Sequence, residues 1–578
     1  MRIAVAARNT PGDGFAMTPC TDTAEIAGDT VILGAERLTL EDLVAVARNH
    51  ARVELAPGVA DVLRPSQDWV TSVLDEEDGL GRPIYSINTG FGSLAGRQAF
   101  KDPADASELS RRLVLSNASG VGRYVDEELV RATMVIRLTS LLSGYSAVRL
   151  AIVQLLVDML NEGVTPAIPE YGSLGASGDL IPLAHLALVL TCGQPGTETE
   201  AQQEANSGEA WLDGAVVPGS KAMAAAGLTP LALQAKEGLA LLNGTSFSCA
   251  QVALALHDAE NLLATNVITA AMTIEALRGF GDAFIDELHR ARGQKGQVAV
   301  ATRIRQLLAG STLIDGDRDN DPVRQPPQDA YSLRCVPQVL GPVTDTLEFV
   351  RHLVENEMNA ATDNPLVFTQ LPRSLKAVSG GNFHAEYMAF AADFLSIVVT
   401  EIGSITERRL FRLDDGTLNR GLPDMLVASQ DVGMDCGYML PQYLAAALVS
   451  DCKTLAHPDS VDSIPTCANQ EDHVSMANNA GRHARQIVAN VESVVAIELL
   501  MATQALDLRI AQGEVDEQGL APASRAVRAH VRGSLDAQGQ AIEMLTRDRV
   551  LYPWLRRAVE LVHNGGVVGA VSELGLTP

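Results

Sequence analysis

Aromatic residues are scarce in this chain: Phe, Trp and Tyr make up 4% of its 578 residues. Its apolar content is nevertheless 47%, carried mostly by Ala, Leu and Val. That composition is enough for a substantial core and favours helix packed on helix. The length alone allows three or four domains. Positive charge is also short, with 44 Lys and Arg against 71 Asp and Glu, a net charge of −27. So acidic a chain argues against nucleic acid and anionic membrane as partners. It does not argue against a small anionic substrate, because a few local arginines override the global field. Seven cysteines include no CxxC pair, which excludes the paired-thiol zinc and redox motifs. An odd count in a long chain reads as free thiols in a reducing compartment, so the expected location is cytoplasmic. HExxH is absent, as is any P-loop or GxGxxG between a strand and a helix, so neither zinc-protease chemistry nor nucleotide binding is expected. His384, Glu386 and His473 fit no strong zinc spacing, and no metal is expected. The apolar part of residues 1–9 is too short for a signal peptide. No run of roughly 18 uncharged apolar residues marks a membrane span, and no repeat of solenoid period is present.

What is present is mostly helical pattern. Residues 1–36, rich in Gly, Thr, Asp and Pro, read as a poorly ordered tail or a small strand pair. At Thr39 the pattern changes to a capping box, with Asp42 in place of the usual Glu. Helices are expected over 40–47, 57–77, 107–118, 126–142, 147–161 and 180–190, with Pro182 tolerable in a first turn. Residues 193–220 read as a polar, exposed excursion. Longer helical patterns follow: 231–242, 246–278, 337–358, 384–409, 442–454 and 475–508. Several are apolar on more than one face, which marks helices buried among others. The expected fold is therefore mainly α. An N-terminal helical and loop domain (37–230) leads into a large up-and-down helical bundle (231–510), and a helical segment (511–578) follows.

The interruptions carry the chemistry. In Tyr171-Gly-Ser-Leu-Gly-Ala-Ser-Gly-Asp-Leu180 the small residues let the backbone fold back on itself. If the Gly178 nitrogen reaches the Ala176 carbonyl carbon, a five-membered ring closes with loss of water. Loss of a second water from Ser177 then leaves an electron-poor exocyclic methylene. By itself, Ala-Ser-Gly is also an ordinary turn. Ile84-Tyr-Ser-Ile-Asn-Thr-Gly-Phe-Gly-Ser-Leu-Ala-Gly96 breaks the helical period around Tyr85, as a lid or a surface turn would. Asn243 stands in Leu-Asn-Gly-Thr between two apolar helices. Gln328-Asp-Ala-Tyr-Ser-Leu-Arg334 sets a phenol three residues from a guanidinium, the natural bidentate partner of a carboxylate. Glu471 lies in Gln-Glu-Asp-His just before a long helix, where acidic groups suit the dipole. Capping, a structural Arg or a solvated acidic turn would account for each motif singly.

In this order, and with Gly-Asn-Phe-His384, the motifs resemble the aromatic amino acid ammonia-lyases and aminomutases that carry a 4-methylidene-imidazol-5-one (MIO) group. The resemblance runs from about residue 38 to 510 and is strongest to the histidine ammonia-lyase branch, through Lys236–Thr245, Gly380–Glu386 and His457–Met476. It implies MIO formed autocatalytically from Ala176-Ser177-Gly178, with no metal or nucleotide. Tyr85 is implied as the base for the β-proton and Tyr331 as a stabiliser of charge on the electrophile. Arg334 is implied as the carboxylate ligand, with Asn243 orienting the substrate. Gln328 and Glu471 would complete a polar wall, and Phe383 would pack on the ring. The family is homotetrameric, with each site shared among chains. The implied reaction is elimination of ammonia from L-histidine to give trans-urocanate. The alternative is a 2,3-aminomutase, acting on histidine or another aromatic amino acid, that makes a β-amino acid. One position departs from the histidine branch. Asn117, a substrate-side residue, stands where that branch has His, and its amide cannot act as an imidazole does.

Overall fold

The computed structural model describes residues 30–75, 83–96, 105–314, 327–372, 375–429 and 433–576. Most of the 1–36 tail lies outside these residues. Its end, Thr30–Leu33, is a strand paired in parallel with Arg52–Leu55. Between the two strands the Thr39 hydroxyl accepts from Asp42 N while the Asp42 carboxylate accepts from Thr39 N, opening the helix Leu40–Ala47. The shorter Asp thus closes the reciprocal box, an arrangement worth about 1 kcal/mol.

Helices Val59–Asp75, Asp105–Asn117, Glu127–Leu142, Leu150–Asn161 and Leu180–Leu190 follow within a few residues of the periodicity. The excursion after them is ordered by pairing. Glu209–Leu212 forms a hairpin with Ala215–Pro218 and pairs with Thr165–Pro166 on the approach to the tripeptide.

The bundle is built from Ser246–Ala276, Val336–Met358, Glu386–Asp414, Met439–Leu455 and Ala477–Ala511. Ser246–Ala276 is buried along nearly its whole length, as its apolar faces predict. At mid-bundle, Arg409 and Glu498 form an ion pair with both side chains fully buried. Such a pair offsets its desolvation only when its remaining lone pairs are bonded. Here Thr269, Thr273 and Asn266 all donate to the Glu498 carboxylate. Glu386–Asp414 is long and apolar enough to cross a membrane by length and composition, but 61% of its apolar window is buried among its neighbours, as in a core helix of a bundle.

Residues 231–242 do not form the single helix their periodicity predicts. Leu231–Ala232 pairs in parallel with Thr191–Cys192, and the helix begins only at Glu237, after Lys236 in a left-handed conformation (φ 72°). Tertiary charge pairs override the local pattern. Glu237 takes the Arg149 guanidinium and the Gln234 N–H, and the Lys236 ammonium is buried against Asp363. Helices outside the expected set include Asp286–Arg292 and Lys295–Leu308, with the shorter Glu200–Ala205, Gly219–Ala225 and Tyr331–Arg334. The charged sequences of the first two hide the apolar stripe.

Candidate active site

Three helices begin at one place. The tripeptide leads into Leu180–Leu190, Asn243-Gly244 into Ser246–Ala276, and Glu471 into Ala477–Ala511. Positive helix ends therefore converge there. The segments are sewn together by backbone. Gly178 and Gly244 form an isolated parallel bridge, with Asp179 N donating to Gly244 O at 2.7 Å. Met476 N donates to Leu174 O, and Ser475 Oγ to Gly175 O. Gly178 has φ +70°, and a Cβ on it would lie 2.1 Å from Gly244 O. Gly175 has φ +74°, and its Cβ would lie 2.1 Å from Ser475 Oγ. Both positions therefore require glycine on conformational and steric grounds.

Buried Asp179 locks the turn. Its carboxylate accepts from Ser173 Oγ, Ser248 N and Ser248 Oγ. Complete burial pushes its carboxyl above the usual range, against the pull of those hydrogen bonds. Ser173 also receives the Gly175 N–H. The tripeptide is thus held from both sides. Among the described residues, neither the Gly178 N–H nor the Ala176 carbonyl has a hydrogen-bond partner.

Ser177 Oγ donates to Glu471 Oε1 at 3.0 Å. Glu471 is held in turn by Thr466, whose hydroxyl donates to Oε2 at 2.9 Å and whose backbone N donates to Glu471 O at 2.9 Å. Between them Cys467, Ala468 and Asn469 all have positive φ (50°, 53° and 65°). Non-glycine residues adopt this region at a cost of roughly 1–2 kcal/mol each, so the surrounding contacts must enforce it. One such contact reaches the Tyr85 loop, where Ser93 N donates to Cys467 Sγ at 3.1 Å. The Tyr85 hydroxyl accepts from Gly92 N at 3.1 Å. Burial pushes the phenol above its ordinary value, and the Glu471 charge adds to the rise, while the Gly92 N–H opposes it.

Asn243 sits beside the bridge. Its Nδ2 donates to Asn364 O at 3.3 Å, while its Oδ1 is buried without a partner, as a ligand-facing acceptor would be. Buried Arg137 fixes this corner by donating to Asn243 O, Ser140 Oγ and Thr362 Oγ1. Burial pulls its guanidinium down to about 10. Phe383 stands on a loop joined to this region, where Asn382 Nδ2 donates to Ala361 O and the His384 ring meets His473 O. Ligand atoms of His384, Glu386 and His473 spread over as much as 4.8 Å. The His384 and His473 rings lie tilted against each other at 5.7 Å between centroids. Asn117 ends its helix, with Nδ2 donating to Leu113 O at 2.8 Å. Its contacts are with its own helix rather than with the tripeptide.

Gln328, Tyr331 and Arg334 are not brought to this site within the chain. Tyr331 is 72% exposed and stacks under the Arg334 guanidinium. Arg334 Nε donates to Asp329 O, while Asp329 accepts from Phe280 N and Arg420. This cluster lies just beyond Ala276, at the opposite end of the 31-residue helix from Ser246. At 1.5 Å per residue that is a separation of about 45 Å.

A family model, aromatic amino acid lyase, matches residues 38–533. The chain is 43% identical to a histidine ammonia-lyase of Treponema denticola, over 92% of this chain and 97% of that one. It is 44% identical to a histidine ammonia-lyase of Symbiobacterium thermophilum, over 94% and 98%. This chain belongs to the aromatic amino acid lyase family. Solved structures in agreement include a tyrosine aminomutase from Streptomyces globisporus (TM-score 0.83, 34% identity, 94% of this chain and 99% of that one). Another is histidine ammonia-lyase from Trypanosoma cruzi (TM-score 0.81, 34% identity, 95% and 96%). As a lyase of this family, the protein acts on a carbon–nitrogen bond.

The residues fit the family's ring. Among the described residues the Gly178 nitrogen and the Ala176 carbonyl that such a ring would join are unpaired, the glycines permit the bend, and the Glu471 carboxylate accepts from the Ser177 hydroxyl. Sequence reasoning missed the frame: Ser173, Asp179, Arg137 and Thr466. Arg137 had a signal, being one of two arginines, with Arg131, inside the mostly apolar run of Glu127–Leu142. Thr466 had none, since its role arises from three left-handed residues that no pattern announces.

Proposed function

We propose that this protein eliminates ammonia from L-histidine to give trans-urocanate, using MIO formed from Ala176, Ser177 and Gly178. The observation that carries the reading is the Glu471 carboxylate, 3.0 Å from Ser177. It is an acceptor for an imidazole N–H placed beside the electrophile, in a chain over 40% identical to histidine lyases. When formed, the group supplies an electrophilic methylene. Tyr85 takes the β-proton, the free Asn243 Oδ1 accepts from the substrate ammonium, and Phe383 closes the apolar side. Asn117 Oδ1, left free by its amide's bond to Leu113, accepts from the far edge of the side chain. The likeness to a tyrosine aminomutase keeps a β-amino acid product as the alternative. With purified protein and L-histidine, a conjugated acrylate should appear with one ammonia per acrylate. A β-amino acid as main product would replace the lyase reading.

We further propose a homotetramer in which Gln328, Tyr331 and Arg334 complete the site of another copy. The 45 Å separation within one chain supports this, as do exposed Tyr387, Phe390, Phe394 and Ile397, a repeating apolar stripe on one bundle helix. Arg334 then binds the substrate carboxylate, and Tyr331 stabilises charge at the electrophile. Ser177→Ala and Arg334→Ala chains, each impaired alone, should regain activity when co-expressed. Random mixing restores about a quarter of the sites of a symmetric oligomer. Co-purified mixed oligomers without recovery would place the whole site in one chain.

A further inference from the structure

Resting on the MIO reading above, the geometry points to Glu471 as the proton shuttle that completes the electrophile's own formation. In the unprocessed chain, the group nearest the leaving oxygen is fixed before any substrate arrives. Ser177 Oγ donates to Glu471 Oε1 at 3.0 Å, and Thr466 Oγ1 occupies Oε2 at 2.9 Å, so Oε1 is directed at Ser177. The strained turn over residues 467–469 holds both partners in place. Asp179 is spent on Ser173 and Ser248, which leaves Glu471 as the carboxylate that touches the reacting side chain.

The step balances without any co-reactant. After ring closure, the Ser177 Cα–H lies between the ring carbonyl carbon and the imine nitrogen, and both stabilise the carbanion left when it is removed. Glu471 takes this proton from Cα, which is two bonds from the Oγ it already contacts. The Cα–H electrons become the Cα=Cβ bond, and the Cβ–Oγ electrons leave with oxygen. Glu471 returns its proton to that oxygen, water departs, and the carboxylate is regenerated. Glu471 thus acts once on the chain itself, before any turnover, and Thr466 is its positioning residue.

Intact-mass measurement of the full-length purified protein reads this directly, without an activity assay. A wild-type chain two waters lighter than its encoded mass supports the MIO reading on which the step rests; an unprocessed wild-type mass would remove that reading itself. Glu471→Gln should be one water heavier than wild type, closed but not dehydrated at Ser177, with an unchanged circular dichroism spectrum. A Glu471→Gln chain of wild-type mass would overturn the assignment. So would one heavier by two waters, because Glu471 would then be needed for ring closure. Thr466→Val is the second variant if Glu471→Gln fails to fold. It should carry a mixture of one- and two-water species soon after synthesis, with Thr466→Ser restoring full loss. Complete loss in Thr466→Val at the earliest time would equally overturn the proposal.

Discussion

Ser177→Ala should fold normally and lose more activity than removal of any single acid–base group. Ser177 is half-buried, and among the described residues its side chain has one hydrogen-bond partner, Glu471. Before it leaves as water the hydroxyl contributes at most one hydrogen bond, worth about 1 kcal/mol, and the bridge between Gly178 and Gly244 stays intact without it. Stability should therefore change little. The chemistry changes completely, because alanine has no leaving group on Cβ and no exocyclic methylene can form. Ammonia is a poor leaving group, and it then departs without the electrophile that would activate it. The fall in kcat/KM should exceed the roughly 10⁴-fold ceiling for a lost acid–base residue. Steady-state assay beside a thermal melt separates the two quantities. Activity within tenfold of wild type in a correctly folded variant would end the electrophile reading.

Where chemistry demands a residue type at a fixed spacing, the sequence was readable. The tripeptide, Asn243 and Glu471 meet because each ends one loop and begins one helix, and the Tyr85 loop joins them through the Ser93–Cys467 contact. The long helices were readable for a different reason, since apolar faces at helical spacing have few alternatives. Failures occurred where tertiary contacts outweighed local preference. Lys236 is driven left-handed by its buried pairing with Asp363, so no helix forms ahead of Glu237. The turn at Cys467–Asn469 adopts a conformation its residues disfavour, and only the Thr466–Glu471 and Ser93–Cys467 contacts explain it. Arg334 and Tyr331 were readable as a pair, but their distance from Ser177 was not. Motif order says nothing about which end of a 31-residue helix a loop will occupy.

Tyr85→Phe should lower kcat/KM by about 10²–10⁴-fold, the usual range for a general base, and should also change the pH profile. The active form of a base is deprotonated. Tyr85 is pushed above the ordinary phenol value, first by burial and then by the Glu471 charge. With an ordinary value near 10, less than about one molecule in a thousand would carry the phenolate at pH 7, and the shift lowers that fraction further. Activity that depends on phenolate must then climb with pH, about tenfold per unit, and level off only above the ordinary phenol range. The substrate's own amine adds a second rise, because only the neutral amine attacks an electrophile. Between pH 7 and 9, wild-type log kcat/KM should therefore rise with a slope near two. Tyr85→Phe should keep only the amine's contribution, a slope near one. Arginine supplied by another copy, in the arrangement proposed above, acts in the opposite direction by favouring phenolate. Arg334→Ala should then move the alkaline plateau to higher pH as well as weaken carboxylate binding. Parallel slopes for wild type and Tyr85→Phe would remove Tyr85 as the base, leaving its hydroxyl only the bond from Gly92 that holds the loop.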